Sequence, residues 1–412
     1  MEGGSALRLV CIGGGTGLSS LLSGIKQYTD RTPGRTGIID IDNLSAIVSV
    51  SDDGGSSGRL IQEFDVPPPG DIRKLLVALS EADELDSLFE YRFSNDGHLG
   101  GHTVGNLLLT ALTELNGGSF PKAIRAASKL LAVRGKIIPV SLNYTVLCAE
   151  LADGEIVRGE SKIPERENRE PIRRIFLEPR ENGKNHHPPN KSYQCTANQE
   201  ADDAIVNADV IIIGPGSLYT SIMPNLVVKG IAEAIRSSKA MKVYICNVMS
   251  QPGETDGYSV SDHVQAIINH ANLSIDYIIA NNQPAPETLI NNYVQKELME
   301  QFTRIKMHTE EALSALQEHP KHVTDSLLNL TKHISQLSDE TKQMADPSKV
   351  QIFYDRGQDN LGDIHVVESD LIRDTVIVEN GVPLTVIRHD PEKLVRTLIK
   401  VLDNHPKLQE KF

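Results

Sequence analysis

The sequence predicts an α/β protein: a doubly wound, mostly parallel, Rossmann-like sheet with a small antiparallel β insertion and a helical insertion. Three features predict it. Short continuous apolar runs recur along the chain, amphipathic stretches separate them, and two of the runs end in clusters of glycine. Strands covered on both faces read as unbroken Val/Ile/Leu runs, and their alternation with helices is the mark of βαβ units.

Taken in order, the predicted strands are Leu7 to Ile12, Leu44 to Val50, Ala208 to Ile213, Lys242 to Asn247 and Ile275 to Ala280. Helical patterns cover Asp71 to Ser80, Val104 to Leu115, Pro121 to Val133 and Leu226 to Arg236. Thr145 to Leu151 and Glu155 to Gly159, joined by Ala152-Asp153-Gly154, read as a hairpin inside a small β insertion. Residues 179–200 are polar and rich in Pro and Asn, an exposed loop in which His186 and His187 are solvated. Residues 286–345 are helical and aromatic-poor, with Leu313, Leu316, Leu327 and Leu330 at helical spacing, which suits a helical insertion or dimerisation arm. Short β segments at Gln351 to Tyr354 and Thr385 to Ile387 precede a last helix, Pro391 to Leu402. The chain thus divides into a first half of the core (1–135), the β insertion with its polar loop (136–200), the second half of the core (201–285), the helical insertion (286–348) and a C-terminal part completing the core (349–412).

The 412 residues carry 41 Lys and Arg against 55 Asp and Glu, a net charge of -14, which disfavours a nucleic-acid partner. No apolar run reaches the roughly 18 residues of a membrane span, and Leu7 to Ile12 is too short for a signal-peptide core, so a cytoplasmic protein without membrane insertion is expected. The four cysteines, Cys11, Cys148, Cys195 and Cys246, are widely spaced, which argues for buried small hydrophobes rather than zinc or a disulfide framework.

The first strand runs into Gly13-Gly14-Gly15-Thr16-Gly17 and then a helix beginning near Leu18. Glycines let the backbone approach a ligand, and the free N–H groups and dipole of a helix start favour an anion such as phosphate. A tight turn without ligand is the plain alternative. Leu18 stands where the third glycine of the dinucleotide fingerprint belongs, and the P-loop lysine is absent. No NAD, flavin, haem or zinc is expected.

After the second strand comes Ser51-Asp52-Asp53-Gly54-Gly55-Ser56-Ser57-Gly58-Arg59. In a doubly wound sheet the carboxyl ends of the strands form the ligand crevice, so these carboxylates face the glycine loop, where they can accept from ribose hydroxyls or hold Mg²⁺. Arg59 offers a planar fork for phosphate. The alternative is a solvent-exposed turn. Pro67-Pro68-Pro69-Gly70-Asp71-Ile72-Arg73-Lys74 reads as a helix start with Asp71 at the N-cap, and Arg73 and Lys74 at that positive end suggest a nearby anion. Asn106, in His102-Thr103-Val104-Gly105-Asn106, is either a polar contact or part of a cap.

A second strand-then-glycine unit, Gly214-Pro215-Gly216-Ser217-Leu218-Tyr219-Thr220-Ser221, crowds hydroxyls and amides at a helix start, an arrangement suited to a pyrophosphate. The next strand ends in Asn247, followed by Ser250-Gln251-Pro252-Gly253-Glu254-Thr255-Asp256, whose amides and carboxylates suit a base edge or a sugar.

Together GGGTG, SDDGGSSGR, PPPGDIRK, GHTVGN, GPGSLYTSIMPN and NVMSQPGETDG resemble the CofD-like family, within it the YvcK-like gluconeogenesis-factor branch, through most of residues 7–285 and again near Val386 to Asp390. The resemblance implies a cytoplasmic protein with a Rossmann-like core that binds a UDP-sugar such as UDP-N-acetylglucosamine and serves cell shape and wall metabolism on gluconeogenic carbon sources. The CofD branch itself is an Mg²⁺-dependent 2-phospho-L-lactate transferase working from a nucleotide-activated donor, and by position the resemblance makes Asp52 or Asp53, with Asp71, the metal-binding counterparts, Asp52 and Asp71 being the expected pair. Departures from the transferase pattern at SDDGGSSGR, GDIRK and GPGSLYTS favour a binding protein over an enzyme. Arg388 in the IRHD turn resembles the family's C-terminal motif and is the expected late basic contact to the ligand, with a surface salt bridge as the alternative.

Overall fold

The computed structural model describes residues 7–31, 39–94, 97–166, 168–180, 194–294, 309, 331, 347–379, 382–405 and 408. The expected helical arm, with Leu313, Leu316, Leu327 and Leu330, and most of the 179–200 loop, with His186 and His187, lie outside the described residues.

From the N-terminus the elements are β1 (Leu7–Gly13), α1 (Gly15–Arg31), β2 (Ile39–Val48), α2 (Gly55–Phe64), α3 (Gly70–Ala78), α4 (Asp83–Glu90), α5 (Val104–Leu115), α6 (Phe120–Leu130) and β3 (Lys136–Pro139). A three-stranded antiparallel unit follows, with β4 (Thr145–Leu151) between β5 (Ile156–Arg158) and β6 (Ile172–Pro179). The chain returns to the core with a helix at Gln199–Val206, β7 (Val210–Ile213), a helix at Ile231–Ser237, β8 (Met241–Ile245), a helix at Val260–Ala271 and β9 (Tyr277–Asn281). It ends in β10 (His365–Ser369), the ribbon β11 (Ile372–Glu379) and β12 (Val382–His389), and a helix at Pro391–Asp403.

The central sheet has seven strands in the order β10-β9-β8-β7-β1-β2-β3, and every pairing in it is parallel. Its inner strands are largely apolar, β7 wholly so, because each face packs on helices, with successive residues pointing to opposite sides. Leu7, Leu9 and Cys11 join a cluster with α1, α3, α6 and the C-terminal helix. Val10 and Ile12 join one with the helices at Gln199–Val206, Ile231–Ser237 and Val260–Ala271. The doubly wound architecture of the sequence reading stands, and all four cysteines are buried free thiols. Among the described residues no helix is long and apolar enough to cross a membrane.

Four local expectations are corrected. Lys136–Pro139, placed in the insertion by its sequence, is the edge strand of the core, paired with β2. The helix expected over Leu226 to Arg236 is broken: a π turn at Leu218–Ile222 and one turn at Met223–Leu226 precede Ile231–Ser237. The gap arises because Lys229 bridges to Thr196 and Gly230 takes φ 103°, a region helices do not use. Gln351 to Tyr354 forms no strand, only a bridge from Gln351 to Met249. Asp71 is not an N-cap, since the helix starts at Gly70.

Candidate functional site

Loops at the carboxyl ends of β1, β2, β7 and β8 meet over the sheet, where β1 lies between β2 and β7. This is the crevice at which open α/β sheets take ligands. A cleft of about 910 Å³ opens there, its lining including Gly14, Gly15, Gly216, Ser217 and Ser221.

The two glycine crowns touch backbone to backbone. A Cβ at Gly17 would lie 2.6 Å from the Pro215 carbonyl oxygen and 2.8 Å from Gly216 N, and one at Gly216 would lie 3.3 Å from the Gly14 oxygen. Only glycine permits this approach; Gly15 and Gly216 also take positive φ, 60° and 154°. Cross-links hold the crowns in register. Asn225 Nδ2 donates to the Gly13 oxygen at 3.0 Å, and Gly216 N–H donates to Asn247 Oδ1 at 3.3 Å. Beneath the second crown, buried Glu254 accepts from Tyr219 N–H at 3.1 Å and Thr220 Oγ1 at 3.0 Å. Burial pushes the Glu254 carboxyl up to about 7 despite these donors.

Acidic and basic side chains ring the crowns. Asp71 accepts from Gly15 N–H at 2.8 Å and pairs with Lys74 Nζ at 3.0 Å. Asp52 accepts from Gly54 N–H at 3.0 Å, and its carboxyl is raised first by burial and then by Asp71. Glu160, carried by the antiparallel unit, also faces the cleft. Burial, followed by Asp52, Glu254 and Asp53, raises it to about 8. Among the described residues no group of three or more His, Cys, Asp and Glu is arranged to hold a metal alone. Asp52 and Asp71 nevertheless suit an Mg²⁺ that takes its remaining ligands from phosphate oxygens and water, because a cation would relieve their mutual repulsion.

Of the residues expected at the site, Gly14, Gly15, Thr16, Gly17, Asp52, Asp71, Gly216, Ser217, Ser221, Asn247 and Arg388 line the cleft. Others have structural work instead. Arg73 is buried and pairs with Glu90 at 3.7 Å, because one step along α3 turns it away from the cleft that Lys74 faces. Arg59 donates to the Gly100 oxygen at 2.6 Å. Asn106 donates to Ser56 Oγ at 3.0 Å, and Ser56 contacts His102 Nδ1 at 2.9 Å, a buried lock between α2 and α5. Asp53 binds the backbone N–H groups of Glu160 and Ser161. Leu218 and Tyr219 are core residues. Gly13, Gly214 and Pro215 shape the crowns without lining the cleft, and Gly54 and Gly55 belong to the turn after β2, also outside its lining. Sequence reasoning missed Glu160 and Arg169, whose insertion carried no motif, and of the two cations it saw near an anion, Arg73 and Lys74, it chose Arg73 for the site whereas Lys74 lines the cleft.

Fold and site together define a doubly wound α/β protein with an anion-suited crevice at the carboxyl ends of its strands. A family model described as 2-phospho-L-lactate transferase CofD matches residues 9–319. A protein named gluconeogenesis factor from Halalkalibacterium halodurans is 47% identical over 291 residues, covering 70% of this chain and 82% of that one. The gluconeogenesis factor of Bacillus subtilis is 46% identical over 292 residues, covering 70% and 83%. A crystal structure of a Bacillus halodurans protein superposes with a TM-score of 0.69 at 36% identity, covering 96% of this chain and 100% of that one. The chain belongs to the CofD family, alongside the proteins named gluconeogenesis factor.

Proposed function

We propose that this protein is a cytoplasmic gluconeogenesis factor that binds a UDP-sugar, UDP-N-acetylglucosamine foremost, and is needed for cell shape and wall metabolism on gluconeogenic carbon sources. It acts by binding, as a dimer, rather than by turnover. The observation that carries the reading is the backbone contact between the crowns at Gly17 and Gly216, which sets two glycine turns side by side at the cleft, an arrangement suited to a pyrophosphate. Lys74 and Arg388 on the cleft wall add positive charge. Calorimetric titration with UDP-, GDP- and CDP-linked compounds, with and without Mg²⁺, tests it. Micromolar or tighter binding confined to UDP-sugars is expected, and binding of GDP in preference to them would overturn the nucleotide assignment.

One observation favours a second reading, an Mg²⁺-dependent transferase. A smaller pocket of about 220 Å³, walled by Pro68, Phe120, Leu142 and Val146, shares Asp52 with the main cleft. An acceptor seated there would meet an activated donor across Asp52, with Asp52 and Asp71 holding Mg²⁺ and the metal drawing charge from the phosphates. Incubation with UDP-N-acetylglucosamine and Mg²⁺ separates the two: UMP, UDP or a transferred product at catalytic rates would replace the binding-protein reading.

A further inference from the structure

Resting on the UDP-sugar reading, the geometry also assigns two walls of the cleft. The crowns line the cleft together with walls from two elements that pack on opposite faces of the sheet, the β11–β12 ribbon through Ile372 and Ile387 and the antiparallel unit through Leu147 and Ile163, and these walls differ in chemistry. On the side of the β11–β12 ribbon the walls are Met249, Val350, Leu384 and Val386, apolar surfaces suited to the faces of a nucleobase. On the opposite side the antiparallel unit presents Glu160, Glu165 and Arg169, facing Gln251 and Asp256 from the loop after β8. Interleaved acceptors and donors of this kind satisfy a ring of hydroxyls, whose burial without partners is costly.

We infer that the antiparallel insertion is the sugar-reading wall, with Glu160 and Arg169 as specificity-determining residues and Asp53 as the positioning residue that seats them. Asp53 spends both carboxylate oxygens on the insertion: Oδ2 accepts from Glu160 N–H at 3.1 Å and Oδ1 from Ser161 N–H at 2.9 Å. Gly159 makes this approach possible, because it takes φ 111° and any Cβ there would lie 2.9 Å from Asp53 Oδ2. A second tie fixes the far end of the wall, where buried Arg166 donates to the carbonyl oxygens of Ile163 and Gly253. The Arg169 guanidinium donates to the Pro164 oxygen at 2.9 Å, which orders it at the cleft edge. An insertion held at both ends offers a preorganised surface, and preorganisation lowers the entropic cost of recognising a polar ligand.

Calorimetric titration of UDP and of UDP-N-acetylglucosamine into the parent protein and into Glu160→Gln, Glu160→Ala, Arg169→Ala and Asp53→Asn tests the assignment. The parent is expected to bind the sugar nucleotide more tightly than UDP. Each variant should lose on the order of tenfold in affinity for the sugar nucleotide, about the worth of one hydrogen bond, while its affinity for UDP stays within about twofold. Glu160→Gln, which keeps the side chain's size, covers the case in which Asp53→Asn disturbs folding. Equal losses for both ligands in the Glu160 variants, or no loss for either, would overturn the inference. A parent protein that binds UDP and the sugar nucleotide equally would overturn it while leaving nucleotide binding intact, and a parent that binds neither would overturn the underlying reading as well.

Discussion

The Asp71 carboxylate accepts the Gly15 backbone N–H at 2.8 Å while its other oxygen holds Lys74 Nζ at 3.0 Å. The amino end of α1 therefore already has an anionic partner from the protein itself, drawn from the start of α3. Ligand phosphate at the first crown must share this corner with Asp71, so the second crown and Lys74 carry more of the anion binding than the glycine pattern alone suggests. Asp71→Ala should lower stability by about 1.5 kcal/mol, since it removes a charge-assisted hydrogen bond. It should also remove any gain in UDP-sugar affinity that Mg²⁺ confers. Urea denaturation and titrations with and without Mg²⁺ check both parts.

The crown contact gives a sharper prediction. Gly17→Ala forces a Cβ to within 2.6 Å of the Pro215 oxygen, and the neighbour is backbone, which cannot swing aside. A cost of roughly 1–3 kcal/mol is expected, together with loss of UDP-sugar binding as the crowns separate. Gly54→Ala is the control. Its φ of -85° suits any residue, and the new Cβ would meet its nearest neighbour, Asp52 Oδ1, at 3.5 Å, so affinity and stability should remain close to the parent's.

The two arginines that the sequence reading treated alike should behave oppositely. Arg388→Ala, on the cleft wall, should weaken UDP-sugar binding about tenfold with little change in stability. Arg73→Ala should do the reverse, because removing a buried guanidinium leaves a cavity and strips Glu90 of its partner. Thermal melting alongside calorimetry distinguishes the outcomes.

Stability should fall as pH rises from about 6.5 towards about 8, above the range in which buried His263 and His389, held down to about 4, give the opposite slope. The carboxyls of Glu254 and Glu160 are raised from 4.5 to about 7 and about 8 by burial first of all. In that window the folded protein holds protons that the unfolded chain has released, so protonation favours the folded state at the acid end and the benefit is lost as each folded-state pKa is passed. Denaturant midpoints measured across this range should decline for the parent protein and decline less for Glu254→Gln.

Much of the core was legible because a two-sided sheet leaves an unmistakable sequence trace. Ile211 to Ile213 and Val243 to Ile245 are apolar at every position, and the glycines at 17 and 216 are demanded by the close backbone approach of the two crowns. Less could be read where tertiary context decides. The ribbon β11–β12 mixes polar and apolar residues without a clean period of two, and only Thr385 to Ile387 stood out of it. Lys136–Pro139 is too short to distinguish an edge strand of the core from the hairpin that follows. Arg73 and Lys74 are equivalent by composition, and the direction of α3 alone separates a structural cation from one facing the cleft. Glu160 has no local signature because its position depends on Asp53, more than a hundred residues away.

The central claim, that amides of the two glycine crowns jointly hold one diphosphate, is tested most directly by a crystal structure of the protein with UDP-N-acetylglucosamine. The account predicts phosphoryl oxygens within hydrogen-bonding distance of backbone N–H groups at both Gly15–Gly17 and Gly216–Ser221, with the sugar towards Glu160. A nucleotide seated away from either crown, in the smaller pocket or on the outer surface, would contradict it.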